Sequence, residues 1–166
     1  LLEGAVERRL VSDVPLGAFL SGGIDSSIIV SIAARKVKHL NTFSIGFKDN
    51  PYFDETQYAK LVADRYKTNH TVFSISNEAM YENIFDLMDY IDEPFADSSA
   101  IAVYSLCQQT RTKATVSLSG DGGDELFAGY NKHKAMYRFE QMKALNPLFA
   151  LSAPVWNLFP QSRNSK

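Results

Sequence analysis

The chain has 166 residues, 45% hydrophobic and 22% charged, so it is long enough to bury one sizeable core. Its formal net charge of −2 and pI near 5.9 give no general attraction to polyanions, and no apolar run approaches the ~20 residues of a membrane span, so we expect neither a nucleic acid nor a membrane as partner. Cys107 is the only cysteine, which excludes an internal disulfide and a multi-cysteine zinc site and fits a cytoplasmic location.

The predicted elements alternate between helix and strand along most of the chain. Leu2, Val6 and Leu10 have helical spacing at the very start, and the missing initial methionine suggests an excised fragment. Between Gly17 and Ser119, short apolar runs alternate with segments of helical period, which indicates βαβ units and a mostly parallel sheet. We predict strands at 16–20, 42–47, 71–75 and 115–118, and helices at 25–36, 54–66, 77–88, 99–110 and 132–145.

A loop of sequence Ser-Gly-Gly-Ile-Asp-Ser-Ser joins the first strand to the next helix. Its glycines allow positive φ and a close approach of backbone N–H groups to a ligand, while its serines add hydroxyl donors at a helix N terminus. Because that terminus carries partial positive charge, the loop predicts a phosphate site, although it matches neither the Walker nor the dinucleotide pattern. The candidate ligand-binding residues are Ser21, Gly22, Gly23, Ser26 and Ser27.

A second glycine-rich loop follows the strand at 115–118 and carries the carboxylates of Asp121, Asp124 and Glu125. Clustered carboxylates repel one another without a counter-ion, so this loop predicts a metal or catalytic site. Ligands of open α/β sheets bind where the strand order reverses. If the first and last strands are neighbours, Asp25 of the first loop and Asp124 can bind one Mg²⁺, with Asp121 nearer the α-phosphate. The plainer alternatives are a capped turn at the first loop, and a calcium loop or helix cap at the second.

Together the two loops resemble the synthetase domain of the glutamine-hydrolysing asparagine synthetases, which are N-type ATP pyrophosphatases. The resemblance extends to about Lys134, and its matching segments are residues 8–15, 21–27, 43–47, 92–97 and 119–130. It implies an α/β, three-layer adenine-nucleotide alpha-hydrolase-like fold, in which a mostly parallel sheet is flanked by helices. The domain core would comprise about residues 8–134.

The resemblance also implies a reaction that uses ATP and Mg²⁺. In that family a carboxylate attacks the α-phosphorus of ATP to give an acyl-adenylate and pyrophosphate, and ammonia then displaces AMP to form an amide, with aspartate to asparagine as the first candidate. The acidic residue important for adenylate formation falls on Asp121, where many members have glutamate. Residues that hold the nucleotide correspond to Phe19, Leu20, Ile45, Gly46, Ser119 and Gly120.

Parts of the family enzyme have no counterpart in these 166 residues. A glutaminase domain of the same full-length chain would supply ammonia, and downstream helices would add a catalytic lysine. We therefore expect residues 1–166 to be a fragment that binds ATP weakly and makes little product, and a homodimer is compatible with this. Cys107 is expected to be a small core residue rather than a nucleophile.

The carboxylate that accepts the amide nitrogen has more than one candidate. Some asparagine synthetases carry an arginine near the acceptor carboxylate where Ser98 stands here, and a serine cannot replace that charge. Sugar acids, cell-surface glycans and a β-lactam synthetase-like ring closure remain as alternatives, as do an RNA-modifying pyrophosphatase and a nucleotide sensor. His39, His70 and His133 lack metal-ligand spacing and are expected to be surface or structural residues.

Overall fold

The computed structural model of the chain describes residues 1–93, 97 and 99–142. The chain divides into two compact units: the first is Leu1–Asp121 and the second is Gly122–Lys166. Ser98, the end of the last predicted helix and the apolar tail between Pro147 and Pro160 lie outside the described residues. Among the described residues of both units, no helix is long and apolar enough to cross a membrane.

The first unit is an α/β structure, as the sequence predicts. Its helices are α1 (Leu2–Arg9), α2 (Ile24–Lys36), α3 (Thr56–Tyr66), α4 (Asn77–Met88) and α5 (Ser99–Thr110). Its strands are β1 (Leu16–Phe19), β2 (Asn41–Phe47), β3 (Asn69–Ile75) and β4 (Val116–Leu118). The second unit begins with α6 (Gly123–Phe127) and α7 (Asn131–Gln141).

The described strands form one parallel sheet in the order β3-β2-β1-β4. Gly17 pairs with Asn41 of β2 on one side and with Ser117 of β4 on the other. The chain thus builds outward from β1 in one direction and then returns to add β4 on the opposite side. The crevice beyond the carboxyl ends of β1 and β4 is the point of reversal at which such sheets bind ligands.

The core lies on both faces of this sheet. On one face Ala18, Leu20 and Leu40 are almost fully buried under α1 and α2, and Val30 of α2 is buried in the same cluster. Phe43 anchors the other face together with Leu106 of α5 and Ala114. Each fully buried leucine, valine or phenylalanine contributes about 1.5–3 kcal/mol, which fixes β1 and β2 as the rigid centre.

A glycine in the middle of β1 reflects the same packing. A Cβ on Gly17 would come within 2.5 Å of the Phe43 ring, so only a residue without a side chain leaves room for it. The Phe43 ring stacks in turn on Phe73 of β3, with centroids 6.0 Å apart.

Several boundaries differ from the sequence predictions for local reasons. A 3₁₀ turn at Pro51–Phe53 delays the start of α3 from residue 54 to Thr56, whose amide N–H donates to Asp54 Oδ1 at 2.9 Å. β3 begins two residues early, because Asn69 pairs with Asn41 and their side-chain amides are 2.7 Å apart. The short helix α6 was not predicted, since five residues with two flanking glycines carry no period.

The expectation that Cys107 is a core residue is wrong. Leu106 and Thr110, four residues apart, turn the buried side of α5 toward the sheet, whereas Cys107 lies about 100° round the helix from Leu106 and is exposed. Partial burial still raises the pKa of its thiol, so the group stays protonated at neutral pH.

Candidate functional site

The loop after β1 has the backbone that its glycines predict. Gly22 has φ +88°, and a Cβ there would come within 2.5 Å of the Ala59 N and the Tyr58 Cβ of α3. Both the left-handed backbone and the close approach of α3 therefore require glycine at this position. The loop is therefore held against α3 at Gly22, while Ser21, Gly23 and Ile24 around it stay exposed.

The loop leaves the N terminus of α2 free to bind an anion. Gly23 is the N-cap and has no side chain to cap the helix. The serines bond among themselves instead: Ser21 Oγ accepts from the Gly23 amide at 3.1 Å, lies 3.0 Å from Ser26 Oγ, and Ser27 Oγ donates to the Gly23 carbonyl at 2.6 Å. By contrast, Ser76 caps α4 by accepting from the Ala79 amide at 3.3 Å. The uncapped first turn of α2 keeps its N–H groups and its positive dipole end available.

The second glycine loop packs directly on this helix end. A Cβ on Gly120 would lie 2.7 Å from the Ser26 amide nitrogen and 3.0 Å from the Asp25 carbonyl carbon. The backbones of the two motifs are therefore in contact, about 100 residues apart in sequence but adjacent because β1 pairs with β4. Asp121, the next residue, is exposed, and its Oδ2 accepts from Ser119 Oγ at 2.9 Å.

In the second unit, Asp124 and Glu125 occupy the first turn of α6. Tyr130 donates to Glu125 Oε1 at 2.5 Å, which lowers the pKa of Glu125 and raises the pKa of Tyr130 to about 12. The Asp124 carbonyl accepts from Gly129 N–H at 3.0 Å, closing the helix at Ala128, which has a left-handed φ of 56°. Glu125 is thereby committed to a structural bond within its own unit.

A magnesium site on Asp25 and Asp124 stays a prediction. The two residues belong to different units, and across residues 1–93, 97 and 99–142 no three His, Cys, Asp or Glu side chains form a metal cluster. Mg²⁺ commonly takes one or two carboxylates and completes its shell with water and substrate phosphate, so a preformed cluster is not required. Asp25, half-buried in the uncapped first turn of α2, fits that limited role.

A cleft of about 180 Å³ opens beside the first loop, at the carboxyl ends of β1 and β2. Of the residues predicted to hold the nucleotide, Phe19, Leu20, Ser21 and Ile45 line it. Gly46 does not, because it faces the start of α3, where a Cβ would lie 3.1 Å from Thr56 Cγ2. Residues that the sequence did not single out also line the cleft: Phe43, Ser44, Phe47, Phe53, Glu55, Thr56 and Leu106.

Some of these additional residues carried a signal in the sequence. Phe47 lies two positions after Ile45, so strand alternation places both on one face. Phe53 lies in the 3₁₀ turn that follows β2. Leu106 comes from α5, and nothing in the sequence connects it to β2.

The backbone of β2 is open toward the cleft. The pairing of β1 with β2 ends at Phe19 opposite Phe43, although the Leu20 amide still donates to the Phe43 carbonyl at 2.8 Å. In a parallel strand, alternate residues direct their N–H and C=O to the same neighbour, so Ile45 points to the same side as Phe43. Ile45 therefore directs its N–H and C=O past the end of β1, where a planar heterocycle could bond to both.

A second, larger groove of about 850 Å³ runs beside α5. Asp121 lies in its lining together with Asp97, Arg111 and Cys107. A hydrogen bond from Ser99 lowers the pKa of Asp97, which is therefore ionised at neutral pH. Ser98, which stands where some asparagine synthetases carry an arginine near the acceptor carboxylate, lies outside the described residues.

Known proteins share both the sequence and the fold. The family described as "Asparagine synthase" matches residues 1–165. The chain is 45% identical over 148 residues to "Putative asparagine synthetase [glutamine-hydrolyzing] 2" of Methanocaldococcus jannaschii, covering 87% of this chain and 28% of that protein. It is 41% identical over 130 residues to "Asparagine synthetase [glutamine-hydrolyzing] 1" of Bacillus subtilis, covering 78% of this chain and 20% of that protein. The chain thus spans less than a third of the length of either relative.

A solved structure supports the fold. The glutamine-dependent NAD⁺ synthetase of Acinetobacter baumannii, in complex with ADP, aligns with a TM-score of 0.50 and 21% identity, over 77% of this chain and 25% of that one. The predicted adenine-nucleotide alpha-hydrolase-like fold is confirmed at this level.

Proposed function

This chain belongs to the asparagine synthase family, and from that premise we propose that it is the ATP-binding core of a ligase that amidates a carboxylate through an acyl-adenylate. One observation carries the proposal. The backbone of Gly120 contacts the Asp25–Ser26 peptide at the reversal point of the sheet, which supports one site shared by the phosphate loop and the start of the acidic loop. A plain turn at either loop has no use for this contact.

The first loop binds the pyrophosphate portion of ATP in this proposal. The free amides at the start of α2 provide donors, and the helix dipole favours the anion. The hydroxyls of Ser26 and Ser27, which donate to the Gly23 carbonyl in this structure, add donors by rotating toward the phosphates, and Ser21 lies beside them. Gly22 and Gly23 allow the backbone to approach the phosphates. The loop thereby stabilises the group that departs when the α-phosphorus is attacked.

The adenosine portion lies in the 180 Å³ cleft. Ile45 offers its N–H and C=O to the edge of the base, and Phe19 and Leu20 contact the ring and ribose. Ser119 and Gly120, in the loop that follows β4, line the nucleotide from the other side of β1. Recognition by backbone atoms on a rigid strand holds the α-phosphorus in a constant position relative to both loops.

The chemistry takes place between the two loops. A carboxylate oxygen attacks the α-phosphorus, its bond to the β-phosphate oxygen breaks, and the leaving pyrophosphate keeps the electron pair; ammonia then attacks the acyl carbon and AMP leaves. Asp121, next to the contact with α2, orients the adenylate. Asp25 and Asp124 would hold Mg²⁺, which would neutralise phosphate charge. Ammonia would come from a glutaminase domain of the full-length protein.

Aspartate is the acceptor that we propose, with another carboxylate as the alternative. The relatives named above are asparagine synthetases, which favours aspartate. Ser98, in place of an arginine, favours the alternative, because an acceptor without an α-carboxylate does not need that arginine.

ATP–pyrophosphate exchange tests the proposal in the gene product that contains this chain. Exchange that depends on aspartate supports asparagine formation, while exchange that depends on a sugar acid or another carboxylate moves the assignment to the alternative. Absence of both MgATP binding and exchange with every carboxylate would contradict the proposal. Asp121→Asn is the negative control: it removes the charge and keeps the shape of the side chain, so exchange should fall with every carboxylate.

A further inference from the structure

A line of polar side chains crosses the α3-facing side of the sheet and ends at the first loop. Thr68 Oγ1 lies 2.8 Å from Thr42 Oγ1, which lies 3.0 Å from His70 Nδ1, and His70 Nε2 lies 3.4 Å from Ser44 Oγ. Ser44 Oγ then donates to the carbonyl of Leu20. Thr42 is fully buried and Ser44 is 3% exposed, so these two hydroxyls are interior groups, whereas Thr68 and His70 are partly buried.

The atoms at the end of this line set the direction of its hydrogen bonds. A carbonyl can only accept, so the one hydroxyl proton of Ser44 is committed to Leu20. Ser44 Oγ can then only accept from His70, which places the proton of the neutral imidazole on Nε2. His70 Nδ1 is left as an acceptor for the Thr42 hydroxyl. Burial lowers the pKa of His70, in agreement with a neutral ring at neutral pH.

The bond to Leu20 replaces one that the sheet would otherwise make. After the Leu20 amide donates to Phe43, a regular parallel ladder would continue with the Ile45 N–H donating to the Leu20 carbonyl. In the structure the Leu20 carbonyl accepts from the Ser44 hydroxyl, and the bond from the Ile45 N–H is not made. The pairing of β1 with β2 stops there, and the Ile45 backbone is left to face the 180 Å³ cleft.

We propose that Ser44 and His70 are positioning residues for base recognition: their bonds hold the Leu20 carbonyl away from Ile45, so that the edge of β2 is open to adenine. The inference rests on the proposed function, since it concerns the same nucleotide site. A merely structural role does not account for these residue types, because small apolar side chains would fill buried strand positions without the cost of burying hydroxyls. Stability alone would also be served by the regular ladder bond.

The test compares three ligands by calorimetry on the gene product that contains this chain, in unsubstituted and substituted form: MgATP, MgITP and magnesium tripolyphosphate. ITP carries a carbonyl and a protonated N1 where ATP carries an amine and a bare N1, so it presents the opposite pattern to the Ile45 backbone. Tripolyphosphate binds through the first loop alone. We expect the unsubstituted chain to prefer ATP to ITP roughly tenfold or more, the ratio for one well-matched hydrogen-bonded pair.

Ser44→Ala should weaken MgATP binding roughly tenfold and bring the ATP-to-ITP ratio close to one, while tripolyphosphate binding stays within about twofold. His70→Gln, which keeps an N–H donor, should retain most of the preference for ATP, and His70→Leu should lose part of it. Ser31→Ala is the matched control: it removes a hydroxyl that donates to the Ile28 carbonyl at 2.8 Å within α2, and it should alter none of the three affinities.

The outcomes separate this inference from the proposed function. If the unsubstituted chain binds neither MgATP nor tripolyphosphate, the proposed function is overturned. If it binds both and Ser44→Ala keeps the full ATP-to-ITP ratio, the positioning role is wrong while the nucleotide site stands. Equal loss of all three ligands in Ser44→Ala and His70→Leu would indicate a structural role and would also overturn the inference.

Discussion

Replacing Gly120 by alanine tests the contact that joins the two motifs. The new Cβ would lie 2.7 Å from the Ser26 amide nitrogen, whereas ordinary contact needs ~3.4 Å, so one backbone must move by about 0.7 Å. Both neighbours are backbone atoms at a helix end and cannot rotate away. Misplacement on the order of 1 Å near reacting groups can cost roughly 10²-fold in rate, so we expect a loss between tenfold and a hundredfold in ATP–pyrophosphate exchange. Overpacking should also reduce stability by about 1–3 kcal/mol.

The assay is exchange in the gene product that contains this chain, together with a denaturant melt. Gly4→Ala is the control, because a Cβ there meets only Arg8 Nη1 at 3.4 Å within α1. That change should leave exchange intact and stabilise the helix by roughly 0.8–1 kcal/mol. If Gly120→Ala exchanged pyrophosphate at the unsubstituted rate, the two loops could not be in contact and the argument for a shared site would fail.

Three further changes probe separate parts of the structure. Asp121→Asn should lower ATP–pyrophosphate exchange by on the order of 10²-fold with little change in MgATP affinity, whereas Asp121→Glu, which keeps the charge, should retain most of the exchange activity. If steady-state kinetics showed the same loss for the two variants, the charge of Asp121 would have no role. Ser76→Ala should cost about 1 kcal/mol of stability in urea, because the cap on the Ala79 amide is lost, and it should leave MgATP binding unchanged; a drop in affinity would argue against α4 being remote from the site. Burial lowers the pKa of His70 in the fold, so the unfolded chain takes up the proton more readily and the free energy of unfolding should fall as the pH drops below about 6.5. His70→Gln removes this titration and keeps the Lys60–Asp64 pair of α3 that faces the ring; if its stability fell equally between about pH 5 and 6.5, His70 would not be the cause.

The order of helices and strands in the first unit followed from the sequence. Apolar runs of four to seven residues alternate with segments of helical period, and each pattern depends on neighbours within a few positions. The cap that Ser76 gives α4 is local in the same way, since it acts on an amide only three residues away. Where a boundary was missed, as at β3, the cause was a cross-strand pair such as Asn41 with Asn69.

The chemical character of both loops was also legible in the sequence. Glycines, serines and carboxylates between a strand and a helix restrict what can bind there, whatever the surroundings. The error at Cys107 has the opposite origin, because a helix residue is buried or exposed according to which face meets the sheet. α5 has apolar residues on several faces, so its sequence alone did not indicate that Leu106 would face the core and Cys107 would not.

The sequence by itself determined the succession of elements, the glycine–serine character of the first loop and the acidic character of the second, because these depend on residues close together in the chain. Only the tertiary structure decided that β4 lies beside β1, which brings Gly120 against Asp25 and Ser26. It also decided that the Ser44 hydroxyl takes the Leu20 carbonyl and leaves Ile45 open, while Gly46 faces α3. Strand order and the competition for one carbonyl are set by packing between distant segments, and no local pattern encodes them.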